Sequence, residues 1–312
     1  MTFTRFTWAL GPILVLALMP APAFASSLVA ADGAQVQWVA IGDSYSAGVG
    51  GMATGQPSCL REPDESYAGQ ARQIMERHGY SVTFVHAACS GARTTDIRTG
   101  QIATVTRADL VTMTIGGNDA GFATWLTHCL LFSDCPSSDS VDWDDLYRQL
   151  VATYVAVRTA MPTTGHLYVL TYPVFYADPA GWRERQCPKE GYGMHLVARR
   201  ANESSVRLGD TIFWAVREAN RQVTAHGRPG NIAFVDVRPQ VREEHLDGRT
   251  RRIAYDPAGI CSTTPEVLQG MNGLVSGSGN QLSDAFHPTR AGYLTMAGIL
   301  WSHVHGNFPT RS

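Results

Sequence analysis

A charge bias is the first thing this 312-residue chain lacks: its formal net charge is −2. It has no basic helix and no long run of like charge, which removes the usual electrostatic argument for a nucleic-acid partner. Cys-x-x-Cys does not occur, which argues against zinc knuckles and dithiol redox motifs. His86, His128 and His195 fall in no His-Glu-x-x-His or similar cluster, so no metal is expected. Gly48-Val-Gly-Gly51 has neither the spacing nor the lysine of a phosphate-binding loop, and no cofactor motif stands elsewhere. Internal repeats are not evident. Past the first residues, no stretch is apolar and long enough to span a bilayer.

The N-terminus differs from the rest. Arg5 is the only charge before Asp32, an apolar run covers residues 8–19, and Ala23-Phe24-Ala25 has the small-x-small form of a signal-peptidase site. The run is shorter than the roughly 20 residues of a membrane span. Residues 1–25 therefore read as a signal peptide, the mature chain starts near Ser26, and export from the cell is expected. Six cysteines (Cys59, Cys89, Cys129, Cys135, Cys187 and Cys261) in an exported chain read as disulfides, and they admit many pairings.

The mature chain alternates short apolar runs with longer amphipathic ones. Strands are predicted over residues 38–41, 81–85, 110–115, 166–170 and 231–237. Helices are predicted over residues 66–78, 143–161, 204–226 and 289–303, with Gly79, Pro162 and Gly227 as stop signals. Such alternation predicts an α/β fold, a parallel sheet covered by helices on both faces. Residues 173–194 and 238–281 are rich in Gly, Pro and charge and read as surface loops that wall a cleft.

Four stretches carry the chemistry. Ser44 follows the first strand in a turn of small residues, at the carboxyl edge where open α/β sheets bind ligands. A serine hydroxyl barely ionises at neutral pH and needs a base to act as a nucleophile. His287, presented just before the Pro288 break, is that base, and Asp284 lies three residues before it. Cys89-Ser-Gly-Ala92 and Ile115-Gly-Gly-Asn-Asp119 follow two further strands. Gly91 and Ser44 can offer backbone N–H groups, and Asn118 a side-chain N–H, to a developing oxyanion. Asp43 and Asp119 read as structural acids that bond turn amides. Gly42-Asp-Ser-Tyr-Ser46 is not the Gly-x-Ser-x-Gly elbow of α/β-hydrolases.

At these residues the chain resembles the SGNH hydrolases, the GDSL esterase/lipase family. Gly42-Asp43-Ser44, Gly91, Gly116-Gly117-Asn118-Asp119 and Asp284-x-x-His287-Pro288 match its four blocks in order. Tyr45 stands where the name-giving leucine would be. The resemblance implies a three-layer α/β/α sandwich on a five-stranded parallel flavodoxin-like sheet, formed as one domain over residues 26–312. It implies a serine hydrolase of carboxylic esters with Ser44, His287 and Asp284 as catalytic residues and Ser44, Gly91 and Asn118 as oxyanion hole. In some relatives a backbone carbonyl replaces the acid, so Asp284 has an alternative. The cysteine content is similar to that of secreted three-disulfide actinomycete lipases and phospholipases. This implies lipid-ester substrates, transient contact with a lipid interface, a secreted monomer without cofactor, and the neighbour pairing Cys59–Cys89, Cys129–Cys135, Cys187–Cys261, also the simplest along the chain. A carbohydrate O-deacetylase of the same fold and a non-catalytic binding protein are the alternatives.

Overall fold

Five strands hydrogen-bond in the order β2-β1-β3-β4-β5, and every neighbouring pair is parallel. They are β1 (Gln35–Gly42), β2 (Ser81–His86), β3 (Leu110–Thr114), β4 (His166–Leu170) and β5 (Ile232–Val235). This is the flavodoxin-like order that the sequence predicts. The computed structural model describes residues 34–50, 59–122, 124–126, 128, 136–181, 192–261 and 286–308. The described residues all belong to one compact unit, Asp32–Ser312. The signal-peptide reading, Asp284, Cys129, Cys135 and Cys187 lie outside the described residues.

The period of two along each strand sorts the core into two layers. Val39, Ile41, Val111, Met113, Leu167 and Val169 face one side of the sheet. Trp38, Ala40, Leu110, Tyr168, Leu170 and Val235 face the other. The first layer is covered by α3 (Thr94–Thr99), α4 (Trp143–Ala160) and α5 (Tyr192–Ala225). The second is covered by α2 (Tyr67–Arg77) and α6 (Arg290–Val304). Helix starts carry the side chains that satisfy their open amides: Ser66 accepts from Gly69 N at 3.1 Å, Asp142 from Asp145 N at 2.8 Å and Thr289 from Gly292 N at 3.2 Å.

The structure corrects the reading of two loops. Helix α5 starts at Tyr192, twelve residues before the predicted start at Ser204, and runs on through Arg199 and Arg200. Charged residues of the second loop pair with this helix: Asp247 with Arg200 at 3.2 Å and Glu244 with Arg199 at 3.4 Å. Residues 173–177, also read as surface loop, are buried. One edge of this segment pairs with Ile260, and on the other the Asn202 side chain accepts from Phe175 N and Tyr176 N and donates to Tyr176 O and Ala254 O at 2.8–3.0 Å. The second loop holds an antiparallel hairpin, β6 (Arg242–Leu246) and β7 (Arg249–Ile253). Its strands show no apolar alternation, because ion pairs such as Arg251–Asp139 at 2.8 Å dock them. Its turn was nonetheless legible: Asp247-Gly248 is a two-residue hairpin signal, and both residues have positive φ, 54° and 73°.

Tyr154, on α4, is fully buried against the sheet, and its hydroxyl has no hydrogen-bond partner among the described residues. A buried hydroxyl without a partner costs about 1–3 kcal/mol. Tyr154→Phe keeps the ring and removes that cost. Urea unfolding of this variant is expected to show a gain of about 1 kcal/mol; a loss would mean that the hydroxyl has a partner.

Candidate active site

β1 and β3 end level, with Gly42 opposite Thr114. Between them the chain order reverses, the place where open α/β sheets hold their ligands. Gly42 has φ 127°, and a Cβ there would stand 2.4 Å from Thr114 O, so only glycine lets the chain turn so close to β3. Asp43 then caps the short helix α1 (Ser44–Ala47) by accepting from Tyr45 N at 3.1 Å. Ser46, in place of the elbow glycine, is fully buried. Its hydroxyl lies 2.7 Å from Tyr67 OH and 2.8 Å from Thr114 Oγ1, and accepts from Thr114 N at 2.9 Å. These bonds fix the turn and leave Ser44 at the surface of the cleft.

His287 arrives from the far end of the chain. Its Nε2 stands 2.7 Å from Ser44 Oγ, and the residue is buried. With the proton on Nδ1 the serine hydroxyl donates to Nε2, the arrangement a general base requires. Tyr45 holds the loop that carries it. The Tyr45 hydroxyl donates to Phe286 O, one residue before the base, and its ring lies 5.1 Å from the imidazole. Just beyond, Tyr293 OH donates to Val49 O at 2.8 Å. The residue that departs from the family pattern thus helps to hold His287 beside Ser44. Neither composition nor periodicity marks it; its position next to Ser44 is the only signal the sequence holds.

The acids next to the site are structural, as expected. Asp43 is fully enclosed and accepts from Tyr45 N, from Thr114 Oγ1 at 2.8 Å and from the Tyr172 hydroxyl. Tyr172 OH in turn accepts from Gly117 N at 3.1 Å. The carboxylate therefore reaches the Gly116-Gly117-Asn118 turn through a phenol that sequence reasoning assigned only to a general aromatic surface. Burial pushes the Asp43 carboxyl up to about 6, against the opposing pull of its hydrogen bonds. Asp119 accepts from Thr94 N and, at 2.6 Å, from Thr94 Oγ1, which ties the same turn to α3.

Gly91 and Asn118 border the same cavity as Ser44 and His287, about 280 Å³ in volume. Gly91 has φ 81°, and a Cβ there would meet nothing within 4 Å, so the requirement for glycine is conformational. Asn118 Nδ2 donates to Ala92 O at 3.0 Å, which leaves its second hydrogen for another acceptor. The Cys59–Cys89 bridge forms as expected and anchors the strand end that leads to Gly91. Cys261 is also disulfide-bonded; the other two expected bridges involve residues outside those described. Val49, Phe122, Leu126, Phe175 and Phe286 give the rest of the cavity an apolar wall. Among the described residues no group of His, Cys, Asp or Glu is arranged to hold a metal ion.

The raised Asp43 carboxyl predicts a sign for the pH dependence of stability. The folded protein holds this proton more tightly than the unfolded chain, so the contribution is complete below 3.8 and is lost as pH rises through about 6. The difference in unfolding free energy between wild type and Asp43→Asn is expected to fall across that interval and to level off above it. Urea titrations at a series of pH values measure it, and a flat difference throughout would mean that burial leaves the Asp43 carboxyl at its unfolded value.

Residues 40–294 match the model of the GDSL-like Lipase/Acylhydrolase family. The chain is similar to Lipase 1 of Streptomyces coelicolor, 35% identical over 287 residues that make up 87% of this chain and 86% of that one. Among solved structures it is similar to the extracellular lipase of Streptomyces rimosus, with TM-score 0.58 and 26% identity over 86% of this chain and 99% of that one. The phospholipase A1 of Streptomyces albidoflavus NA297 shares the fold, with TM-score 0.53 and 24% identity over 86% and 98% of the two chains. With the family's blocks gathered at one sheet edge and its model matched across most of the chain, the protein belongs to the GDSL-like lipase/acylhydrolase family and is a carboxylic ester hydrolase.

Proposed function

We propose that the protein is a secreted lipase that hydrolyses lipid esters, acylglycerols or phospholipids, through an acyl-enzyme on Ser44. The observation that carries this reading is the 2.7 Å contact between Ser44 Oγ and His287 Nε2 at the mouth of an apolar-walled cavity. Ser44 Oγ attacks the ester carbonyl carbon while its proton passes to His287 Nε2. The Ser44 and Gly91 amides and Asn118 Nδ2 meet the oxyanion. Collapse breaks the bond to the leaving oxygen, which takes the proton from His287. Water, deprotonated by the same imidazole, then attacks the acyl carbon, and Ser44 recovers its proton. Asp284, or a backbone carbonyl in its place, orients the imidazole and stabilises its charged form.

The wall of the cavity supports a lipid acyl group over a sugar. A polyhydroxyl ligand needs many hydrogen-bonding groups, and phenylalanine, leucine and valine offer none. Secretion is supported by the signal-like residues 1–25 and by the extracellular relative from S. rimosus. A monomer that meets the lipid surface only transiently completes the reading.

Hydrolysis of p-nitrophenyl esters from short to long acyl chains tests it. Ser44→Ala is expected to lower kcat by a factor on the order of 10,000 or more, and the preference of the wild type is expected to lie with chains longer than acetyl. An equally active variant, or a wild type confined to acetate, would refute the reading. Tyr45→Phe removes the bond to Phe286 O and keeps the ring. It is expected to lower kcat about tenfold with KM little changed, because a misplaced base affects the chemical step. A rise in KM alone would assign Tyr45 to substrate binding instead.

A further inference from the structure

Leu60 combines two features that stability does not explain. Its φ is 48°, in the left-handed region, and its side chain is 45% exposed. Among the described residues three other non-glycine positions have positive φ: Asn231, Asp247 and Cys261. Asparagine and aspartate tolerate this conformation, and Cys261 is fixed by a disulfide. Leucine has no such reason to adopt it, and in water it gains nothing from its side chain.

The backbone on both sides explains how the conformation is imposed. Cys59 is bonded to Cys89, and Cys59 O accepts from Ser90 N at 3.0 Å. Arg61 Nε donates to Ala88 O at 2.5 Å, and Glu62 N to Ala47 O at 2.8 Å. The chain is thus pinned before and after Leu60 to the strand end that leads to Gly91 and to helix α1. Strain held in this way by over-determined surroundings is characteristic of functional sites. The side chain so presented borders the cavity of Ser44 and His287.

We infer that Leu60 is a specificity-determining residue that covers the apolar chain of the ester beyond its carbonyl. The inference rests on the lipid-ester reading and adds to it the place where a longer chain gains binding energy over acetyl. An apolar contact made along the chain raises kcat/KM for long substrates, because the added binding energy is available in the transition state. Acetyl esters end before they reach the rim and gain nothing from it.

Leu60→Asn and Leu60→Gly both suit left-handed backbone, so neither endangers folding. The readout is the ratio of kcat/KM for p-nitrophenyl decanoate to that for the acetate, with both esters dissolved as monomers. Both variants are expected to lower this ratio by about fivefold or more, with a thermal midpoint at or above that of the wild type. A ratio within about twofold of wild type would overturn the inference. So would a lower midpoint with equal losses on both esters, since that is the signature of a packing residue. A ratio that changes only with emulsified ester would also overturn it, in favour of contact with the lipid surface. Ser44→Ala in the same assay keeps the two readings apart: hydrolysis that survives it defeats the acyl-enzyme on Ser44, while the chain-length ratio of the Leu60 variants still reports on the rim.

Discussion

One buried carboxylate connects the parts of this active site. Asp43 sits where β1 ends, out of reach of water, and its donors come from three segments: α1 through Tyr45 N, β3 through Thr114, and the residues after β4 through Tyr172. Tyr172 extends the connection to Gly117, beside Asn118. An acid so enclosed is costly unless its hydrogen bonds are complete. That cost turns the geometry of the turns into something close to all-or-none, since the loss of one donor leaves a buried charge short of a partner. Ser44 and Asn118 are thereby held in one arrangement, although 74 positions separate the two in the sequence.

His287 is added to this arrangement from outside. The loop that carries His287 makes its contacts through Tyr45 and through the T-shaped packing of Phe286 on Phe175, whose centroids are 5.5 Å apart. Phe175 and Phe286 also line the cavity that His287 borders. The side chains that hold the segment of His287 are therefore part of the wall that a bound ester would meet. A change of wall that altered the fit of the acyl chain would also move the histidine.

The strands were legible because buried parallel strands are short, largely apolar runs, and residues 38–41, 110–115 and 166–170 are such runs, while their order followed from the resemblance to the SGNH family. The two ends of the Ser44–His287 pair were legible because punctuation marks them, Gly42 before one and Pro288 after the other. What could not be read was decided by polar contacts between distant segments. The hairpin of residues 242–253 is docked by arginine–carboxylate pairs, which in sequence look like solvated charge. Residues 173–177 are held by the amide of Asn202 and by backbone pairing with Ile260, both on distant segments. Tyr45 looked like a neutral departure from a motif because its partner, the carbonyl of Phe286, is 241 residues away.

That separation has a consequence for the order in which the protein becomes active. The contacts that assemble the base with the nucleophile, Tyr45 to Phe286, Ser44 to His287 and Val49 to Tyr293, each close a loop of more than 240 residues. They join almost the first strand of the fold to its last helix, and contacts of such range form late in folding. In the proposed mechanism Ser44 and the turns of Gly91 and Asn118 stand without a base until the segment of Phe286 and His287 has docked, which makes ester hydrolysis one of the last properties that the folding chain acquires.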